Sequence, residues 1–597
     1  MDEKTVLVSQ GTCCKSAGAE QVYTALKKEA ARWGVEDMVT FKQPGCHGFS
    51  QIDPAVIIEP DGFLFANVKE EDASEIIQSL LPGRRPPEHL HYMEPHSRKI
   101  IPYKEEIPFF KRQQRFILNN CGIIDPGSID DYFKAGGYEA LSRVLKDMTP
   151  LEVISKIEHS GLRGLGGGGF RTANKWRLCY QSPGDHKYLV CNADEGDPGS
   201  FQDRSLLEGD PHAVLEGMLI AAYTVGATKG YIYVRAEYPL AIKNLQYALK
   251  QAREQGLVGR NIMGSDFSFE MEIFQGAGAF VCGEETALLQ SLGGKRGMPY
   301  PRPPYPVVSG LHGQPTLINN VKTLASIRFI INNGAGWFRE KGTEKSKGTA
   351  VFSLSGKVVN CGLVEVPMGI SLREIIFGIG GGIPGGKAFK AVQTGGPSGG
   401  CLPADLLDTP VDFDTLRDAG SIMGSGGMVV MDEDTCMVDT ARYFLSFSLK
   451  ELCGQCTTCR LGARQMLEIL NLITRGEGRT SDLDLLLQLG EVVAKGSLCG
   501  LGRTIPNPVL TTLRYFRDEY EVHINEKRCP ARVCKDLTTY RIDQEKCKAC
   551  SLCLKACPTT AIKGSKKQAH IIEQDYCVRC GTCLDVCAER FGAIECI

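Results

Sequence analysis

Two cysteine runs near the C-terminus restrict this chain more than any other stretch. Cys547-x2-Cys550-x2-Cys553-x3-Cys557-Pro558 is followed by Cys577-x2-Cys580-x2-Cys583-x3-Cys587. Spacing of this kind serves iron–sulfur clusters, and the fourth cysteine of each run ligates the cluster of the other. One [4Fe–4S] cluster is therefore expected on Cys547, Cys550, Cys553 and Cys587, and a second on Cys577, Cys580, Cys583 and Cys557. A third set, Cys453, Cys456 and Cys459 with Cys499 farther on, suits another [4Fe–4S] cluster, with structural zinc as the alternative.

Between these sets, His523, Cys529 and Cys534 lack one ligand for a tetrahedral zinc site, and Cys436 can supply it. Zinc on these four would staple the last domain to the core; free thiols in a solvated linker are the competing reading. In all, 25 cysteines occur in 597 residues. A long chain whose start, Met1-Asp2-Glu3-Lys4-Thr5, has no signal-peptide shape uses such cysteines for metal rather than disulfides. The expectation is a cytoplasmic protein of an anaerobe. A net charge of −2 implies no nucleic-acid partner, and no apolar run is long enough for a membrane span.

The stretch Ser160-Gly-Leu-Arg-Gly-Leu-Gly-Gly-Gly-Gly-Phe-Arg-Thr-Ala-Asn-Lys-Trp176 lets the backbone approach a ligand closely and leaves N–H groups for a phosphate, with Lys175 just beyond. Alone it is neither a dinucleotide fingerprint nor a P-loop, and a flexible linker competes. Four further blocks follow in order: Asn192-Ala-Asp-Glu-Gly196, Gly276 to Ala287, Asn319-Asn-Val-Lys-Thr323, and Cys453 to Arg460. Together they resemble the NADH-binding flavoprotein subunit of respiratory complex I, over roughly residues 115 to 520.

That resemblance implies FMN held by Gly164, Gly166, Lys175, Asn192, Asp194, Glu195, Gly283, Glu284, Asn319, Asn320 and Thr323. It implies NAD(H) at Phe170, Asp197, Glu285, Arg302 and Tyr305, with the two aromatics stacking on the dinucleotide. A carboxylate at Glu285 would accept the ribose hydroxyls and repel a 2′-phosphate, favouring NAD(H) over NADP(H). Leu165, Arg171, Asp197 and Gln202 depart from the family, which often has Arg, Pro, Glu and Lys there. No side chain is expected to be catalytic, because hydride chemistry belongs to the flavin.

The fold class read from these segments is multidomain α/β and α+β. Residues 1–90 alternate strands and helix and resemble thioredoxin-like [2Fe–2S] domains, with Ser9, Cys14, Cys46 and Ser50 at the four ligand positions. Two serines argue against a [2Fe–2S] cluster there, although Cys13 offers one substitute. Residues 91–114 read as a linker, 115–345 as the FMN- and NAD-binding domain, and 346–432 as a ubiquitin-like β-grasp domain. Residues 433–520 read as a helical [4Fe–4S] domain, 521–540 as a linker with the zinc set, and 541–597 as a two-cluster bacterial-ferredoxin domain.

This assembly resembles the diaphorase (β) subunit of electron-bifurcating [FeFe]-hydrogenases. It implies three [4Fe–4S] clusters, a hydrogenase catalytic subunit, a small [2Fe–2S] thioredoxin-like subunit, soluble ferredoxin, and a higher oligomer of a heterotrimer. Related modules serve NAD-linked formate dehydrogenases and NADH-dependent ferredoxin:NADP⁺ transhydrogenases. A non-catalytic iron–sulfur scaffold with a decayed flavin site is the alternative of another class.

Overall fold

The computed structural model describes residues 4–565, 567–588 and 590–596. The chain divides into two compact units: residues 1–430 with 451–453, and residues 431–450 with 454–597. The first unit begins with β1 (Lys4–Val8), β2 (Val39–Lys42), β3 (Val56–Glu59) and β4 (Phe63–Phe65), in the order β2-β1-β3-β4. β1 is parallel to β2 and antiparallel to β3. Helix Ala19–Trp33 covers this sheet with Ala19, Val22, Leu26 and Ala30, one face at helical spacing. Gly18 turns at φ +103° and separates it from a short helical turn, Thr12–Ser16.

Residues 91–114 are packed and do not form a free linker. Tyr92–Met93 pairs with Ile100–Ile101, and Phe109 stacks on Phe49 with ring centroids 4.0 Å apart. The prolines and charges that suggested a linker stand beside Ile107, Phe109 and Phe110, and burial of those three fixes the segment.

Next come β5 (Tyr188–Ala193), β6 (Lys229–Arg235), β7 (Glu270–Gly276) and β8 (Thr316–Asn320), all parallel in the order β8-β5-β6-β7. Leu189, Val190 and Cys191 are wholly buried, as a parallel strand covered on both faces requires. A five-stranded sheet follows: β9 (Thr349–Gly356), β10 (Gly362–Pro367), β11 (Phe389–Thr394), β12 (Gly400–Pro403) and β13 (Gly427–Asp432). Its order is β10-β9-β13-β11-β12, with an antiparallel hairpin on each side of β13, which runs parallel to β9.

The second unit contains helices Thr457–Thr474, Ser481–Gly496 and Asn507–Tyr515. Residues 521–540 are again more than a linker, since His523, Cys529, Cys534 and Leu537 are buried. Beyond them lie β14 (Tyr540–Ile542), β15 (Ile562–Lys563), β16 (Ile571–Ile572) and β17 (Ile594–Cys596). β14 pairs with β17 and β15 with β16, both antiparallel. Among the described residues no helix is long and apolar enough to cross a membrane.

Glu365 on β10 ties the β-grasp sheet to the start of the flavin-domain segment. Its fully buried carboxylate accepts the N–H groups of Phe116, Ile117 and Leu118 at 3.1, 3.0 and 2.9 Å, and the Thr349 hydroxyl at 2.7 Å. Glu365→Ala is expected to cost about 3–5 kcal/mol, because it removes the acceptor of four buried donors. A lowered melting temperature with accelerated amide exchange confined first to residues 116–118 is the expected readout.

Candidate functional site

The carboxyl ends of β5 and β8 lie side by side, with Asn192 and Asn320 in register. In parallel sheets this edge is where ligands bind. Helix Val321–Asn333 starts at once from Asn320, whose side chain accepts the Lys322 N–H, so a helix N-terminus with its partial positive charge opens at the same place. The glycine-rich loop closes over it. Helix Pro150–Ser160 ends at Gly161 in the left-handed region, Arg163 bridges Arg171, and the Gly164 N–H bonds the Phe170 carbonyl at 2.8 Å. Trp176 Nε1 donates to Asn319 Oδ1 at 2.8 Å, and the Leu165 N–H to Thr323 Oγ1 at 2.9 Å. A Cβ on Gly166 would stand 2.8 Å from Asn320 Cβ, so glycine is required for this approach.

The β-grasp segment supplies the other wall. Gly167 forms a backbone bridge with Gly424, and the Phe413 ring fills the space beside Gly169. Arg163 holds the two together: its Nε donates to Gly169 O at 2.6 Å and its Nη1 to Asp414 at 2.8 Å, with the guanidinium over the Phe413 ring. Arg163 Nε and Nη1 thus join the loop to this wall.

Of the acidic cluster, Asp194 alone faces the crevice unpartnered. Both its carboxylate oxygens are buried without a hydrogen bond, one directed at Gly283. Burial pushes its pKa up to about 7, against a lowering pull from Arg235. An orphaned buried carboxyl beside open backbone fits a polar ring or ribityl edge, and the glycine loop and helix start fit a phosphate; these residues accommodate FMN.

Glu195 and Asp197 have different duties from those the sequence suggested. Glu195 accepts the N–H groups of Asp203 and Arg204 at 2.9 and 3.0 Å and the Tyr238 hydroxyl. It fixes Asp203, which holds Asn320 Nδ2 at 2.6 Å and Lys322 Nζ at 2.8 Å. Burial raises Glu195 to about 7 and Asp197 to about 6. Asp197 accepts from Ser425 and packs on Gly396, so it anchors the β-grasp wall. No motif marked Asp203, Ser425 or Asp414; their partners are distant in sequence.

The other nucleotide residues do gather. Lys175 is ion-paired with Glu285 and donates to Ile318 O at 3.0 Å. Arg302 lies 3.8 Å from Glu284 and 4.0 Å from Glu285, with its guanidinium 5.9 Å from the Tyr305 ring centroid. Glu284 also caps helix Glu285–Leu292 through the Thr286 and Ala287 N–H groups, and Gly283 O accepts from Asn192. Phe170 and Tyr305 are 54% and 55% exposed, large aromatic faces open to solvent.

In the second unit the eight C-terminal cysteines line two cavities. Cys547, Cys550, Cys553 and Cys587 line one, and Cys557, Cys577, Cys580 and Cys583 the other, among mainly apolar neighbours such as Ile542 and Ile562. These are the two crossed sets expected from the spacing, and thiols around an apolar hollow fit an iron–sulfur cluster. Of the third set, Cys456 and Cys499 cap helices Thr457–Thr474 and Gly500–Thr504. The Gly502 N–H donates to Cys499 Sγ at 3.5 Å, and a Cβ on Gly502 would lie 3.3 Å from Cys459 Sγ. Cys453 lies in the short segment belonging to the first unit.

Cys436, His523, Cys529 and Cys534 are all buried, and their ligand atoms lie within 4.8 Å of one another. Cys436 Sγ and Cys534 Sγ are each 3.4 Å from His523 Nε2 and 3.8 Å apart. A tetrahedron with zinc–ligand bonds of about 2.3 and 2.0 Å has edges of about 3.8 and 3.6 Å. His523 Nδ1 meets Glu519 O at 2.7 Å, which turns Nε2 toward the sulfurs. The set fits zinc.

Fold and site together define a flavin- and iron–sulfur-binding oxidoreductase subunit. Profiles of the Nuo51 FMN-binding domain, the NADH-ubiquinone oxidoreductase-F iron-sulfur binding region and a 4Fe-4S dicluster domain match residues 157–328, 439–523 and 546–593. The NADP-reducing hydrogenase subunit HndC of Solidesulfovibrio fructosivorans is 57% identical over 460 residues, covering 77% of this chain and 94% of that one. The NADH-quinone oxidoreductase F 2 subunit of Rhizobium meliloti (strain 1021) is 44% identical over 414 residues, covering 69% and 98%. A crystal structure of an NAD⁺-reducing [NiFe]-hydrogenase in the air-oxidized state superposes with a TM-score of 0.61 at 30% identity, covering 88% of this chain and 85% of that chain. The chain belongs to the family of NADH-quinone oxidoreductase F subunits and their hydrogenase-associated relatives.

Asp194 generates a pH dependence. Its folded-state pKa of about 7 exceeds the ordinary 3.8, so the folded protein binds the proton more tightly and stability of the flavin-free protein falls as pH rises between those values. Asp194→Asn is expected to remove part of that slope, gaining on the order of 2–4 kcal/mol above about pH 7. Melting temperatures of flavin-stripped wild type and variant near pH 5 and near pH 8 check the sign, and flavin affinity should fall in the same variant.

Proposed function

We propose that this chain is the electron-input subunit of a multimeric NAD(H)-linked hydrogenase, exchanging electrons between NAD(H) and ferredoxin through FMN and three [4Fe–4S] clusters. The observation that carries the reading is one polypeptide with an FMN crevice, a solvent-open aromatic face at Phe170 and Tyr305, and three cysteine sets. Bound FMN would exchange hydride with the nicotinamide and single electrons with the clusters, a conversion neither NAD(H) nor a cluster performs alone. The protein's part is placement. The glycine loop and the Val321 helix start hold the phosphate end, and Asp194 and Asn192 line the opposite side of the crevice. Phe170 and Tyr305 offer stacking surfaces for the dinucleotide.

The name of the HndC relative, a hydrogenase subunit, supports a hydrogenase partner over a formate dehydrogenase or transhydrogenase. We further propose that the partner is an [FeFe]-hydrogenase subunit, accompanied by a small [2Fe–2S] thioredoxin-like subunit, and that the flavin splits its electrons between two acceptors. More than one cluster outlet on one chain supports such splitting. The relative is called NADP-reducing, whereas a carboxylate at Glu285 disfavours a 2′-phosphate. We assign NAD(H), noting that Arg302 stands 4.0 Å from Glu285 and tempers the repulsion. Zinc on Cys436, His523, Cys529 and Cys534 would brace the entry to the ferredoxin domain.

The test is to isolate the native complex through a tag on this chain, identify its subunits by mass spectrometry, and assay NAD⁺ reduction by H2 with and without ferredoxin. A hydrogenase partner and strict ferredoxin dependence support the proposal. Ferredoxin independence removes bifurcation, a formate dehydrogenase partner moves the function, and absent flavin with no NADH:viologen activity leaves only a scaffold.

Two variants follow. Glu285→Gln should lower kcat/KM for NADH about tenfold, the loss of one charge-assisted hydrogen-bond pair, and narrow the preference over NADPH. Cys529→Ser combined with Cys534→Ser should release one equivalent of zinc and sensitise residues 521–597 to limited proteolysis, leaving flavin content unchanged.

A further inference from the structure

The thioredoxin-like segment holds a second buried group of metal-type ligands. A [2Fe–2S] cluster does not fit it: of the four positions such a cluster would use, Ser9 and Ser50 offer neutral hydroxyls, poor ligands for iron–sulfur chemistry. The two remaining thiols have acquired a different partner. Cys14 Sγ lies 3.3 Å from Asp53 Oδ2, and the ligand atoms of Cys14, Cys46 and Asp53 lie within 4.8 Å of one another. Exposure is 0% for Cys14, 2% for Cys46 and 9% for Asp53. Tight packing maintains the pairing, since a Cβ on Gly11 would stand 2.7 Å from Cys46 Cβ.

His47 fixes the carboxylate. The Phe49 N–H donates to His47 Nδ1 at 3.1 Å, so the neutral ring carries its proton on Nε2 and donates it to Asp53 Oδ1, also at 3.1 Å. Oδ2 is thereby turned to Cys14. A ligating carboxylate oriented by a hydrogen bond on its other oxygen is the usual support for a metal site. The Gly48 N–H points at Cys46 Sγ at 3.3 Å, and the half-buried Arg115 guanidinium donates to His47 O at 2.9 Å, placing a positive charge behind the group.

We propose that Cys14, Cys46 and Asp53 bind one divalent, thiophilic cation of the Zn²⁺ class, where the domain's relatives would carry two irons. Binding forms two metal–sulfur bonds and one metal–oxygen bond and releases the two thiol protons to solvent; no electron moves. Two thiolates select a soft or borderline metal, and the carboxylate selects a dication over Cu⁺. The dication with two thiolates and one carboxylate leaves a single negative charge, which the nearby Arg115 offsets.

The test uses the full chain, produced with zinc and purified anaerobically. Metal content is measured for wild type, Cys14→Ser with Cys46→Ser, Asp53→Asn, and Cys529→Ser with Cys534→Ser. Two zinc per chain are expected in wild type and one in each double variant, so failure of the site at residues 436–534 is distinguishable from failure of this one. Alkylation of Cys14 and Cys46, followed by peptide mass spectrometry, should be slow until a chelator is added, a readout independent of whether the variants fold. Asp53→Asn should weaken retention on dialysis at least tenfold. The proposal is overturned if zinc does not depend on Cys14 and Cys46 while they alkylate equally with and without chelator. It is equally overturned if they are joined as a disulfide in the isolated protein, or if an iron-dependent [2Fe–2S] EPR signal disappears with them.

Discussion

The meeting of the glycine loop with the ends of β5 and β8 is the constraint on which the first unit depends. A backbone can come this near to Asn320 only where no side chain intervenes, and Gly166 meets that demand. The contact fixes three things at once. It sets the loop over a helix N-terminus, brings Trp176 onto Asn319, and presents Gly167 and Gly169 to the β-grasp wall. Substitution there would push the loop outward and separate the two walls. The low-dielectric pocket so formed also explains why three neighbouring carboxyls, Asp194, Glu195 and Asp197, are all pushed toward protonation by burial.

Those carboxyls divide into workers and fasteners by what surrounds them. Glu195 and Asp197 spend their oxygens on Asp203, Arg204, Tyr238 and Ser425. Asp194 spends none within the protein. A site that leaves one buried acceptor pair unanswered is incomplete without a ligand that carries donors, and a flavin edge carries them.

Much of this was legible in the sequence, and the boundary has a physical basis. Cysteine spacing is informative because ligation imposes short, rigid offsets, and the two C-terminal hollows are lined by the crossed sets that the runs imply. The set Cys436, His523, Cys529 and Cys534 was legible for a related reason: three local ligands announced a missing fourth. Strand β5 and the polar residues at its end were readable from a short apolar run. The duties of Glu195 and Asp197 were not, because Asp203 and Ser425 lie outside the motif that drew attention to them. Residues 91–114 misled because composition reports prolines and charges but not that Phe109 finds Phe49. The Cys14–Asp53 contact was equally hidden, since Asp53 lies outside the ligand spacing that pointed to Cys14 and Cys46.

The crossed lining of the two C-terminal cavities bears on how this chain matures in a cell. Cys557 belongs to the cavity of the later run, and Cys587 to that of the earlier one. The set of the later run is complete once translation has passed Cys583, and that of the earlier run only once it has passed Cys587. A chain that has reached only Cys557 therefore offers three thiols to the first set and one to the second. Both sets thus draw their last thiol from the second run, so the first run alone completes neither.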